Sequence, residues 1–388
     1  MTPVIVVSAY NRPQALARLL ASLQKAAYPA KARPRLIISI DRGDDPLNRQ
    51  VFETAESFRW EHGSKEIIRH DQHLGLVQHF LFCGRQTQQH EAVIYLEDDL
   101  VVSPMFFHYA TQALSFYDDE RIGGVSLYAL WFNGYTHHPF LPLADGSDAF
   151  FLQIPYTQGQ AWTRAQWKRF EGWQARGHLR PAPGDDLHDL WFSFAADEWF
   201  PTLTKYLVET GQFYAYPRVS QATGFGDAGS HFSSASLYFQ TPLQYFRETY
   251  QFKPLADSVA VYDSFYEIFP NRLNRLTDAL SGFEYDVDLN ATKARHHLKA
   301  EYALTTRLSR ASRLSFGRTM WPPEANVIEA VPGRGIGLCR KDDLRWDWLA
   351  DLDTRKRNHD YFTRGRRLSR RLRLQFALLD ALRRLGWR

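Results

Sequence analysis

Cysteine is almost absent: the 388 residues include only Cys83 and Cys339. Two thiols so far apart give no zinc spacing and no disulfide framework. No stretch approaches the roughly 20 apolar residues that cross a bilayer. Strand-like sequence begins at Val4, which leaves no room for a signal peptide, so the expectation is a cytoplasmic chain. No G-x-G-x-x-G follows the first apolar run and no G-x-x-x-x-G-K-[ST] occurs. Both absences argue against dinucleotide binding and P-loop hydrolysis. The body also lacks positive charge. The net charge is +4, but Arg364 to Arg388 holds nine Arg and one Asp, a balance of +8, which leaves −4 for the rest. A body of that sign lacks the footprint of a nucleic-acid binder.

What is abundant is aromatic: 27 Phe, 19 Tyr and 11 Trp. Such a chain can fill a large core and still line a groove whose ring faces suit sugars. Apolar runs at Val4–Val7, Leu36–Ile40, Ile67–Ile68 and Ala92–Leu96 read as strands. Helical spacing separates them: Leu16, Leu19, Leu20 and Leu23; Phe52 to Arg59; Leu76, Phe80 and Cys83. Asn11 reads as a cap and Pro13 as a first-turn residue of the first helix. A helix is also expected from Pro104 to Tyr117 and another from Asp197 to Thr210. This alternation predicts an α/β fold around a parallel sheet. Beyond Ile122 the pattern loosens into mixed structure, with a strand-like piece at Ala325–Glu329.

Polar residues follow each early strand: Ser8, Asn11 and Arg12, then Asp41, then His73, then Glu97-Asp98-Asp99. Ligands of parallel sheets sit at the carboxyl ends of the strands, so these groups converge on one crevice. Each also has a plain structural role open to it, as a cap, a turn or a packed histidine. The acid triplet reads in two ways. It is either a site for a divalent cation bound to a diphosphate or an acidic helix start.

In this order the motifs resemble a glycosyltransferase of the A-type, nucleotide-sugar-binding fold. The closest pattern is that of the inverting N-acetylglucosaminyltransferase I family and bacterial surface-polysaccharide glycosyltransferases. The resemblance covers residues 1 to about 235. Val-Ile-Tyr-Leu-Glu-Asp-Asp-Leu at 93–100, followed by Ser103-Pro104-Met105-Phe106-Phe107, is similar to that family's variant of the Asp-x-Asp signature. It implies Mn²⁺ or Mg²⁺ on Asp99, Asp98 near the ribose and Glu97 on donor sugar hydroxyls. It also implies Arg12, Asp41 and His73 around a uracil and its ribose, with Ser8 on the donor. Gly159-Gln160-Ala161-Trp162 stands where the family has a Gly-x-Gly-Trp loop below the donor sugar, with Ala161 in place of the second Gly. Ala196-Asp197-Glu198-Trp199 resembles the Trp-Asp-Asp-Trp segment that carries the catalytic base. Asp197 takes the base position and Glu198 is the fallback. Thr223 to His231 resembles a lid loop, with Gly226, Ser230 and His231 among its residues.

The implied activity is inverting transfer of GlcNAc or another hexose from a UDP-sugar to a saccharide acceptor. The implied setting is surface polysaccharide or lipopolysaccharide synthesis, where acceptors can be lipid-linked. The expected division is a catalytic unit at 1–235 with halves at 1–120 and 121–235, a mixed extension at 236–355, and a tail at 356–388. In the tail Leu368, Leu372, Phe376 and Leu379 share one helical face, with Arg366, Arg370, Arg373 and Arg384 largely opposite. That is a basic amphipathic helix, suited to an anionic membrane surface or to packing on the body. Two other functions stay open on sequence: a sugar-phosphate nucleotidyltransferase, which shares the acidic metal site, and a non-catalytic carbohydrate-binding protein.

Overall fold

A computed structural model describes residues 1–177, 180–227 and 234–364, with Leu374 and Ala381 beyond them. Strands and helices alternate as the periodicity predicts: β1 (Val4–Ala9), α1 (Pro13–Lys25), β2 (Leu36–Ile40), α2 (Pro46–Ser57), β3 (Lys65–Arg69), α3 (Gly75–Arg85) and β4 (Ala92–Glu97). Next come β5 (Leu100–Val102), α4 (Phe106–Phe116), β6 (Ile122–Ser126), β7 (Ala149–Leu152), β8 (Gln160–Thr163), α5 (Arg164–Gln174), α6 (Phe200–Thr210), β9 (Phe213–Pro217) and β10 (Ala222–Gly224). The remainder holds β11 (Val261–Tyr262), α7 (Pro270–Leu273), β12 (Tyr285–Asp288), β13 (Tyr302–Thr305), β14 (Leu314–Phe316), α8 (Ala325–Ile328), β15 (Ile336–Arg340) and α9 (Trp348–Phe362).

The central sheet has nine strands in the order β11-β7-β9-β6-β8-β4-β1-β2-β3. Strands β3, β2, β1 and β4 are mutually parallel, and β8 runs antiparallel between β4 and β6. The fold is therefore α/β with a mixed sheet, and the purely parallel part is the half that carries the acid triplet. Side chains alternate across the sheet and build two cores. Leu16, Leu19, Leu20 and Leu23 of α1 pack with Ile5, Val7 and Ile38 on one face. The other face is aromatic: Tyr95, Trp162, Trp167, Phe170, Trp173, Tyr206 and Tyr214 lie together beneath α3, α5 and α6. Most of the surplus of rings is thus spent on core.

Several boundaries differ from expectation. Arg12, not Asn11, occupies the cap position of α1, with Pro13 following. The acid triplet does not run straight into a helix. Leu100–Val102 first pairs antiparallel with Ala222–Gly224, and α4 starts only at Phe106. Helix α6 starts at Phe200, because Pro201 suits a first turn, and leaves Asp197 in the preceding turn. Ala325–Ile328 is a helical turn rather than a strand. Nor does the sheet end at residue 235. Strand β11 pairs with β7, and Tyr250 and Phe252 pack on Tyr109 of α4. The break expected there falls inside the fold. A separate four-stranded sheet, β12-β13-β15-β14, follows. No described helix is long and apolar enough to cross a membrane. The amphipathic tail face drawn from Leu368 to Leu379 lies outside the described residues.

Candidate active site at the carboxyl edge of the sheet

Register brings the strand ends level: Ser8 sits opposite Glu97 and Ser39, and Ala9 opposite Ile40. The chain leaving β1 therefore emerges beside the acid triplet. Arg12 uses both arms of its guanidinium there. Nη2 lies 2.9 Å from Asp98 Oδ1 and Nη1 lies 2.9 Å from Asp99 Oδ2. Asp98 is buried, its side chain 3% exposed, whereas Asp99 is 33% exposed. The Tyr10 N–H points at Asp98 Oδ2 from 3.4 Å. Arg12 was expected beside a uracil; instead it bridges two acids, because buried charge needs a cation nearer than any ligand.

Glu97 is the third acid. Tyr95 Oη lies 3.4 Å from its Oε1 and 2.9 Å from Ser8 Oγ, so Ser8 supports this network from the next strand. The Trp199 side chain hydrogen-bonds Glu97 as well. Burial pushes Glu97 up to about 8, and the Asp99 charge adds to the rise while Arg12 and Trp199 oppose it. Burial also pushes Asp98 up to about 7, against the pull of Arg12. One guanidinium does not compensate three carboxylates, and the cluster makes up the difference by holding protons.

That shortage of positive charge is what a divalent cation would relieve. Among the described residues no group of three or more His, Cys, Asp or Glu forms a ready cation cage. The fit is to an ion held by one carboxylate, Asp99, and completed by phosphate oxygens, which is how Mg²⁺ commonly binds.

Trp199 ties a distant segment to this edge. Its ring stacks on Phe80 of α3 at 4.0 Å and 6°. The turn just before it holds Asp197, which is exposed, and Glu198, which is half-buried. The structure thus brings the 197–199 segment to the triplet across a hundred residues of sequence.

Asp41 and Trp162 need correction. Asp41 Oδ1 accepts from the Arg42 and Leu74 N–H groups at 2.8 and 2.7 Å. Its Oδ2 accepts from the Gly75 N–H at 3.0 Å and has His73 Nδ1 at 3.0 Å. His73 Nδ1 also lies 3.0 Å from the Arg42 carbonyl, so the established donors are three backbone N–H groups, and with its side chain 4% exposed Asp41 anchors the start of α3. Trp162 is 1% exposed and its Nε1–H donates to Tyr214 Oη at 2.5 Å. Strand pairing puts it opposite Val93, deep in the aromatic core, so it cannot contact a donor at the strand ends. Gly159 is buried too. Its φ is +92°, and a Cβ there would come within 3.1 Å of Ala222 Cβ and 3.3 Å of Leu96 Cδ2. It allows the chain to pass close beneath the triplet.

His73 is 57% exposed, and its ring lies 5.3 Å from that of Tyr10, which is also exposed. The Tyr10 carbonyl accepts from the Asn48 side chain at 2.6 Å. Tyr10 and Asn48 carry no sequence signal beyond their nearness to strand ends, and Trp199 was only the last letter of a motif.

The segment entering the expected lid is fastened to the same edge. The Phe225 N–H donates to the Asp99 carbonyl at 3.0 Å. Arg18 of α1 pairs with Asp227 and lies 3.6 Å over the Phe225 ring. Gly226 takes φ +82°, and its carbonyl accepts from the Ser236 N–H at 2.8 Å. Ser230 and His231 lie outside the described residues.

No family model matches the chain, and no curated protein matches it in sequence. Solved structures do resemble it. Staphylococcus aureus TarS 1–349 is 14% identical over 58% of this chain and 61% of its own, with a TM-score of 0.37. The mannosyltransferase PcManGT from Pyrobaculum calidifontis, solved with GDP-Man and Mn²⁺, is 13% identical over 57% of this chain and 58% of its own, with a TM-score of 0.35. GalNAc-T7, solved with UDP, GalNAc and Mn²⁺, is 14% identical over 56% of this chain and 42% of its own, with a TM-score of 0.37. The chain thus spans about three fifths or less of the length of these proteins. The second is a mannosyltransferase by name and the third was solved with a nucleotide and a sugar, but likeness at this level carries no functional argument, which rests on the site's own side chains.

Proposed function

We propose that the chain is a metal-dependent glycosyltransferase of the A-type fold. In this reading it moves a hexose, GlcNAc among the candidates, from a UDP-sugar to a saccharide hydroxyl with inversion. One observation carries the reading. The Arg12-bridged acids at the end of β4 meet, through Trp199 and Glu97, the turn that holds the exposed Asp197. A pole for a diphosphate and its cation thus adjoins an accessible carboxylate.

The neighbouring exposed rings of Tyr10 and His73 supply the face for a base. Asp98, behind Arg12, lies near the ribose, and Glu97 reaches the donor sugar hydroxyls. Asp197 takes the proton from the acceptor hydroxyl as that oxygen attacks the anomeric carbon, and a single base of this kind gives inversion. Glu198 is the alternative base. Mn²⁺ or Mg²⁺ on Asp99, when bound, stabilises the charge on the departing diphosphate. No acid is then needed to protonate the leaving group, unlike in sugar hydrolysis. The lid role drawn from the sequence for Thr223 to His231, with Gly226, Ser230 and His231, belongs to the same proposal. A role in surface polysaccharide or lipopolysaccharide synthesis, with the basic tail on an anionic membrane surface and the body in the cytoplasm, belongs to the same proposal.

Asp197→Asn tests the base. The variant should bind UDP-sugar as the wild type does and lose about 10²–10⁴-fold in transfer rate. Unchanged turnover would move the base elsewhere, first to Glu198.

A further inference from the structure

The geometry points to Arg12 as a built-in cation that holds the metal ligand Asp99 until a metal ion and a diphosphate arrive together, so that the two bind cooperatively. This inference rests on the function proposed above. Arg12 stands at the cap position of α1, from which its side chain reaches both acids. The two contacts are equal in length but not in surroundings. Asp98 is 3% exposed and also faces the Tyr10 N–H, so it is the fixed partner. Asp99 is 33% exposed and Arg12 35%, so that contact opens to solvent and can exchange.

A doubly charged ion and a guanidinium repel each other on one carboxylate. Metal binding alone therefore weakens the Nη1 contact with Asp99 and leaves that arm with a poorer anion. A diphosphate supplies the replacement, since guanidinium forks bind phosphate oxygens well. Arg12 then turns about Asp98 from Asp99 to phosphate. Metal without nucleotide bears the cost of the weakened contact; metal with nucleotide does not. By linkage each ligand raises the affinity for the other.

Calorimetry of the full chain with Mn²⁺ and UDP, each alone and in the presence of the other, reads this coupling directly. Wild type should show coupling of about tenfold or more, and Arg12→Gln should bind Mn²⁺ alone more tightly and show coupling at least about threefold weaker than wild type, the remainder coming from the phosphate oxygens that complete the ion's shell. Arg12→Lys guards against misfolding of the first variant. It keeps the charge on Asp98 but cannot hold both acids at once, so its coupling should fall as well. Equal coupling in wild type and Arg12→Lys overturns the inference and leaves the function standing. Absence of any Mn²⁺-dependent UDP binding in wild type overturns both.

Discussion

At the scale of single residues, the acid triplet and the nearness of Ser8 and Arg12 to it were legible; the bridging role of Arg12 and the arrival of Trp199 were not. Glu97-Asp98-Asp99 stands out because five apolar residues precede it, and a buried parallel strand must end where ligands bind. Asp41 has the same signature and a different job. An acid after a strand looks alike in sequence whether it meets a ligand or, as here, the N–H groups that open α3. Trp162 was misread for a related reason: core rings and ligand-facing rings have the same letters. Trp199 offered no pattern of its own, because its bond to Glu97 exists only once α3 and the turn before α6 are packed. Trp162→Phe separates core from site. It removes volume at a 1% exposed position and strips Tyr214 of the indole N–H. Denaturant unfolding should show a loss of about 2–3 kcal/mol. Donor affinity should stay within about twofold, since Trp162 reaches the acids only through the buried rings of Tyr95 and Phe80. A folded variant with donor binding weakened tenfold or more would return Trp162 to the donor site.

At the scale of elements, the alternation of β1 to β4 with α1 to α3 was readable because each run keeps one period. The pieces after Ile122 are short and their partners distant: β5 finds β10, and β11 finds β7. Pairing of that kind leaves no periodic trace. It also explains why the expected break at 235 failed. A buried contact ties strand β11 to the C-terminal part: Tyr262 Oη donates to Glu324 Oε1 at 3.0 Å. Burial pushes Glu324 up to about 7, opposed by its hydrogen bonds. The folded state therefore keeps a proton that the unfolded chain gives up near pH 4.5. Stability from this group is greatest below that value and is lost as pH rises towards 7. Glu324→Gln, which stays neutral, should gain on wild type between pH 5 and pH 8 by up to about 3 kcal/mol. Paired melts across that range check it, and parallel curves would mean that Glu324 is ionised in the fold.

At the scale of the molecule, charge and aromaticity are sorted. The tryptophans of β8 and α5 crowd one face of the sheet, the leucines of α1 pack on the other, and unbalanced acids gather at one edge. The sum of +4 concealed this, since Arg364 to Arg388 outweighs an acidic body. The account stands on that edge being a pole for a cation and a diphosphate. Calorimetric titration of UDP into wild type and Asp99→Asn, with and without Mn²⁺, tests it most directly. Mn²⁺ should tighten UDP binding by about tenfold or more in wild type and by less than about twofold in Asp99→Asn. UDP binding indifferent to Mn²⁺ in wild type, or equally strengthened in Asp99→Asn, would contradict the account.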